Sequence, residues 1–388
     1  MDNWKITLND VVTAGRVRAE DIILSGPRGI GKTVAMRAMA QAASDQGFET
    51  VDLQAVSDHA GLVDSLMQKA SILTTQESGP WKRALAAFER LGGLTLGFAG
   101  VSAGVTTKTP PPAQAIDPGI LADTLATLAT EVARDHPRGG LLITVDELQV
   151  ASAADLALLA ATLHRLNVDH PLATVLFLGT GLAHITSALS KAGVTHPDRL
   201  FHLMPLPLTL SDDDARYALV EPARRAGVVW EPAAVQVVLD ASQGYPAHLQ
   251  FYAHQTWRLA PGPDRITEPD ARSAVPIAER ELSVRTLQPR WSRMTDRQME
   301  FMAALALLGG ETSISALART LGRSVSDLSW LRDALLNEGD IYSTRRGRVA
   351  YTVPNFARYV LKEYDSARLD SAIELMPLAT LRQNAESA

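Results

Sequence analysis

The residues with the clearest chemical potential lie in ILSGPRGIGKTV, residues 23–34. Gly26, Gly31, Lys32 and Thr33 fit G-x-x-x-x-G-K-[S/T], with Pro27, Arg28, Gly29 and Ile30 between them and Val34 opening a helical pattern. Glycines let backbone amides turn inward around a phosphate, and the helix that follows offers its positive end. Lys32 is then expected to neutralise β- and γ-phosphate oxygens, and the Thr33 hydroxyl to hold Mg²⁺. The expected ligand of residues 26–34 is a nucleoside triphosphate. The other reading of such a stretch is a glycine-rich turn without a ligand. The strand-like DIILSG (21–26) before it and the helical TVAMRAMAQAASDQG (33–47) after it favour the phosphate loop.

LLITVDELQV, residues 141–150, supplies a second group. An apolar run ending in Asp146 and Glu147 places two carboxylates at the carboxyl end of a buried strand, where ligands sit in open α/β sheets. Asp146 is expected in the Mg²⁺ shell, and Glu147 is expected to polarise an attacking water. Without a phosphate loop the same pair would read as an ordinary acidic start to a helix.

Elements that alternate in type must position these groups. TVDLQAV (50–56) and ATVLFLGTG (173–181) read as further strands, and 120–135 and 155–167 as helices. Helical patterns also fall at 64–73 and 80–93. Such alternation calls for a parallel sheet covered by helices on both faces. The proline cluster TKTPPPAQAIDPG (107–119) reads as an exposed loop, and the glycine-rich run at 91–107 as an inserted hairpin or loop. After Pro207 strands give way to helices: one from a Ser211 N-cap with Asp214 at the capping-box position, then EPAAVQVVLDASQG, PAHLQFYAHQTWRLA and 270–287.

The 388 residues exceed the usual single-domain length, and 46% hydrophobic content is ample for more than one core. A formal net charge of -6 argues against a chain that coats nucleic acid by bulk charge, though not against a local basic patch. The absence of cysteine rules out disulfides and thiolate metal sites. The nine histidines show no metal-ligand spacing. The N-terminal MDNWKITLND lacks signal-peptide features, and no run reads as a membrane span, so a cytoplasmic location without membrane contact is expected.

The order GPRGIGKT, ITVDELQ, LFLGTG, DRLFHLMPL and GYPAHLQFY resembles AAA+ ATPases, most of all the branch shared by replication-initiator (origin-recognition-like) and STAND-type ATPases. The resemblance spans about residues 20–360, and only its first two motifs are individually specific. It implies ATP with Mg²⁺ as the ligand, ADP as the product, and a parallel-sheet core at 1–207. It further implies an all-helical lid at 208–287, a winged helix at 288–365 and a polar tail at 366–388. It places Thr180 at sensor 1, feeling the γ-phosphate, where a plain helix-capping hydroxyl is the other reading. It places Arg199 as an arginine finger toward a neighbouring subunit, where a surface ion pair is the alternative. The lid position at which relatives carry a phosphate-binding arginine is read as His248, a weaker ligand because histidine is mostly neutral at pH 7. Only 25 residues precede Gly26, so the AGRV at 14–17 is not matched to the family's adenine-side motif.

Residues 295–360 carry the winged-helix pattern: a helix capped by Thr295, a second in SISALARTLG, a third from Ser324, then two strands around RRGR (345–348) and a closing helix. From 285 to 362 there are twelve Lys+Arg against seven Asp+Glu, a local +5 that leaves -11 for the rest of the chain. Arg345, Arg346 and Arg348 on the wing, with Arg323 and Ser324 before the third helix, are the expected contacts to duplex DNA of low sequence selectivity. Asp327 and Asp333 on the third helix make it a poor reader of bases. The leading expectation is a nucleotide-dependent switch or loader on DNA, acting as a homo-oligomer or with a partner protein. The alternative is a STAND-like signalling ATPase whose winged helix contacts protein.

Overall fold

The computed structural model describes residues 4, 8, 21–55, 117–260, 264–371 and 373–388. The patterns at 14–17, 64–73, 80–93 and 91–107, and the proline cluster up to 116, lie outside the described residues. The chain divides into two compact units, one of residues 1–26 and 32–206, the other of 27–31 and 207–388.

The first unit is built on a parallel sheet of β1 (Asp21–Ser25), β2 (Glu49–Gln54), β3 (Leu141–Asp146), β4 (Val175–Gly181) and β5 (Phe201–Pro205). Their order is β2-β3-β4-β1-β5. The chain runs from β1 to the far edge, returns through β3 and β4, and crosses β1 to reach β5. The carboxyl end of β1 therefore lies where the order reverses, the usual place for a ligand in such sheets. Side-chain alternation explains the burial. Ile23, Leu141, Ile143, Val145, Val175 and Phe177 pack with helices α2 (Pro118–Asp135) and α3 (Ala153–Asp169). Ile22, Leu24, Leu142, Leu176 and Leu178 pack on the other face with Met36 and Met39 of α1 (Lys32–Ser44) and with Trp4. Strands covered on both faces read as continuous apolar runs, which is what the sequence shows. Beyond β4, α4 (Ile185–Lys191) and the one-turn helix Pro197–Leu200 lead into β5.

In the second unit, α5 (Asp212–Arg225), α6 (Pro232–Ser242), α7 (Pro246–Leu259) and α8 (Glu268–Leu282) share one core. Ser211 caps α5 by accepting from the Asp214 amide at 3.2 Å. The region is not all-helical as expected. Two-residue strands β6 (Val229–Trp230) and β7 (Arg265–Ile266) pair in parallel between the helices, too short to leave a period in the sequence. The helix expected at 270–287 begins at Glu268, where Thr267 and Asp270 form a capping box, and passes at Ser283 into one π-helical stretch, 283–287.

A further core joins α9 (Asp296–Leu307), α10 (Ile314–Thr320), α11 (Ser329–Glu338) and α12 (Phe356–Leu369) with an antiparallel sheet of β8 (Glu311–Ser313), β10 (Arg348–Tyr351) and β9 (Ile341–Arg345). Thr295 caps α9 in a capping box with Gln298. The third helix starts at Ser329 rather than Ser324, because Ser324 and Asp327 bond to each other's amides and close a turn first. Residues 366–388 are not a plain polar tail. They finish α12 and form α13 (Leu378–Glu386), whose Leu381 is fully buried in this core.

Candidate nucleotide site

The segment after β1 bends through left-handed glycines, Gly29 at φ 83° and Gly31 at φ 91°. A Cβ at Gly31 would meet open space, so its backbone conformation, not crowding, is what calls for glycine. Lys32, at the start of α1, is buried, and its Nζ donates to the Gly26 carbonyl at 2.9 Å. Val34 stands exposed on the first turn of α1.

Sheet order brings Lys32 and Thr33 to the end of the acidic strand. The Thr33 hydroxyl donates to Asp146 Oδ2 at 2.9 Å. Strand β4 lies between β1 and β3, and its Thr180, fully buried and level with Leu24 in register, donates to Asp146 Oδ1. The amide of Glu147 completes the cluster, 3.0 Å from Thr180 Oγ1 and 3.1 Å from Asp146 Oδ1. Glu147 itself takes a left-handed conformation, φ 59° and ψ 45°, uncommon for a residue with a side chain and frequent where strained backbone serves a site. Its carboxylate accepts from Gln149 Nε2 at 2.6 Å. Gln149 and Gly179, both passed over in reading the sequence, shape this corner. A Cβ on Gly179 would fall 2.4 Å from Leu148 Cδ1, so glycine there lets Leu148 pack onto β4.

Thr33, Asp146, Glu147 and Thr180 are thus brought together. The hydroxyl–carboxylate pair of Thr33 and Asp146 suits a hard cation that keeps water and phosphate oxygens as its other ligands, as Mg²⁺ does. No cluster of three or more His, Cys, Asp or Glu placed to hold a metal ion stands among the described residues.

Arg199, Arg28, Gly29 and His248 are four further expected site residues. Arg199 is exposed on the one-turn helix before β5 and forms no ion pair among the described residues. In the second unit, Arg28 and Gly29 meet the start of α7: its cap Tyr245 donates its hydroxyl to the Arg28 carbonyl, and the amide of Ala247 in the first turn donates to the Gly29 carbonyl at 3.0 Å. His248, expected to face phosphate, is instead buried edge-on to Tyr245 and Tyr252, with neither ring nitrogen bonded among the described residues. Burial, and then the nearby Arg290 cation, push its pKa down to about 4, so it is neutral and a poor phosphate ligand at pH 7.

The expected DNA contacts divide. Arg323 is turned inward, Nη2 at 2.7 Å from buried Glu300, and the Ser324 hydroxyl accepts the Asp327 amide at 3.2 Å. Arg323 is thus committed to an internal ion pair, which corrects its assignment as an outward contact, while Ser324 stays exposed at its turn. Arg348 pairs with Glu311 at 3.3 Å. Arg345 and Arg346 are exposed at the β9–β10 turn and form no ion pair among the described residues. Four of the twelve local cations are engaged internally, since Arg290 and Arg293 bond Asp340, and Arg297 and Arg323 bond Glu300.

Residues 7–176 match the family described as the AAA ATPase domain, and residues 285–360 match a domain of unknown function. No curated protein matches the chain. Among solved structures, the ORC2 protein of Aeropyrum pernix, in its ADPNP-ADP complexes, is similar at 15% identity and TM-score 0.51, over 95% of this chain and 94% of that one. The Holliday junction branch migration motor RuvB of Thermotoga maritima is 16% identical with TM-score 0.42, over 96% of this chain and 94% of that one. The parallel sheet resembles an AAA+ α/β core, and helices predominate after it. No helix among the described residues is long and apolar enough to cross a membrane.

Proposed function

We propose that the chain is an ATPase in which residues 26–34 hold the phosphates of ATP and Glu147 activates the water that hydrolyses it. The observation that carries this reading is the meeting of Thr33, Asp146, Thr180 and the Glu147 amide at the end of the sheet, beside the phosphate loop. Lys32 would release Gly26 to bind β- and γ-phosphate oxygens, and the loop amides would surround the β-phosphate. Thr33 and Asp146 would hold Mg²⁺, which neutralises charge on the phosphates. The water oxygen attacks the γ-phosphorus while its proton passes to Glu147. The bond to the β–γ bridging oxygen breaks, and its electron pair stays on ADP. Thr180, tied to Asp146, would orient the γ-phosphate end, and Arg199 would act on the site of a second copy.

Lys32→Ala is expected to weaken ATP binding by about 10- to 100-fold, the loss of one hydrogen-bonded charge. Titration with a fluorescent ATP analogue checks this, and wild-type affinity would remove the loop from the site.

The reading extends to a lid at 208–287 and a winged helix at 288–365, whose turn arginines contact duplex DNA with little sequence selectivity, making a nucleotide-dependent switch or loader. Arg345 and Arg346, exposed and without an ion pair among the described residues, support it. Filter binding across a salt series should give an affinity that falls steeply as salt rises. Replacing both arginines by alanine should lower the log–log slope by about 2. A flat response in the wild type favours the second reading, a STAND-like ATPase whose winged helix meets protein, for which exposed Val325 before α11 and exposed Trp330 in its first turn speak.

A further inference from the structure

We propose that Gln149 is a positioning residue for hydrolysis, holding the Glu147 carboxylate in one orientation and tying it to the chain just beyond Thr180. The inference rests on the ATPase reading of Glu147. Gln149 sits on the short turn Leu148–Val150 that follows the acidic pair. Its amide has two ends and both are used. Nε2 donates to Glu147 Oε2 at 2.6 Å, and Oε1 accepts from the Leu182 amide at 3.1 Å. These two bonds specify which way the amide points. Turned over, its oxygen would face a carboxylate oxygen and its NH₂ would face an N–H, so both bonds would become repulsions.

The turn that carries Gln149 is itself anchored. Leu148 is fully buried and fills the space that Gly179 leaves on β4, and the Val150 amide donates to the Glu147 carbonyl at 2.8 Å. Glu147 is therefore held at both ends. Its amide bonds Thr180 and Asp146, and one carboxylate oxygen bonds Gln149, leaving Oε1 to accept the water proton. A flexible glutamate would otherwise spread over several rotamers, few of which face the reacting water. The Leu182 amide lies two residues past Thr180, so Gln149 also couples the base to the strand end that would meet the γ-phosphate.

Steady-state hydrolysis and ATP binding of four full-length proteins test this: wild type, Gln149→Leu, Glu147→Gln and the double variant. Gln149→Leu should lower kcat about tenfold, in keeping with loss of a hydrogen bond to a charged group, with KM and Kd for ATP within about twofold of wild type. Gln149→Glu, of the same shape but without the donor, should lose as much or more. Because Gln149 acts through Glu147, the double variant should be no slower than Glu147→Gln alone. An unchanged kcat in both Gln149 variants, or a KM that rises in step with the fall in kcat, overturns the inference while leaving the ATPase reading in place. So does a double variant slowed by the full additional factor. A wild type that hydrolyses no ATP overturns both.

Discussion

Glu147→Gln is expected to bind ATP with wild-type affinity and to release phosphate about 10²- to 10⁴-fold more slowly, the usual worth of a positioned general base. The substitution is nearly isosteric, and the surroundings of Glu147 leave its frame intact. The left-handed backbone and the amide bonds to Thr180 and Asp146 do not involve the side chain. A glutamine carbonyl can still accept from Gln149. The carboxylate charge and its capacity to take a proton from water are what disappear. Lys32 and Thr33, the groups that would hold the phosphates and metal, are untouched, so binding and turnover should separate. Phosphate release measured beside nucleotide titration reads the two, and an unchanged release rate would withdraw Glu147 as the base.

Asp340→Ala is expected to destabilise the second unit by about 3–5 kcal/mol, the cost of removing one partner from a buried ion pair. The Asp340 side chain is fully buried, and it accepts from Arg290 Nη1 at 2.9 Å and from Arg293 Nη2 at 2.7 Å. Arg290 is itself largely enclosed, with the Gly339 carbonyl at 3.3 Å as its other acceptor. Alanine would leave that cation with a single neutral acceptor in a poorly solvated place. Asp340→Asn keeps an acceptor but no charge, and should fall between alanine and wild type. Urea unfolding of the full chain followed by tryptophan fluorescence checks the order. An alanine variant as stable as wild type would mean that the arginines find other partners. The expected loss is a sizeable share of the stability of an ordinary domain.

The strands and helices around the candidate nucleotide site were largely legible in the sequence. Both faces of β1, β3 and β4 are buried, so each reads as an unbroken apolar run, and the phosphate loop announces itself through glycines that only one backbone path requires. Three kinds of feature stayed hidden. The strands β6 and β7 are two residues long, below the length at which a period exists. Ser324 has the composition of a helix cap, yet its partner Asp327 closes a turn first, and local propensity does not rank the two. Arg323 reads as a free basic residue, and only folding brings Glu300 to it.

The sequence by itself determined the candidate groups: a glycine-rich loop, an ammonium, a hydroxyl, and an acidic pair at a strand end. These follow from residue types a few positions apart, where backbone geometry leaves little choice. The tertiary structure decided what each group faces. Sheet order β2-β3-β4-β1-β5 puts Thr180 between the loop strand and Asp146 and brings Leu182 to Gln149. The packing of the second unit encloses His248 and pairs arginines with acids 23 to 50 positions away. Such contacts depend on which strands and helices become neighbours, and that outcome is set by the whole core at once rather than by any short run of residues.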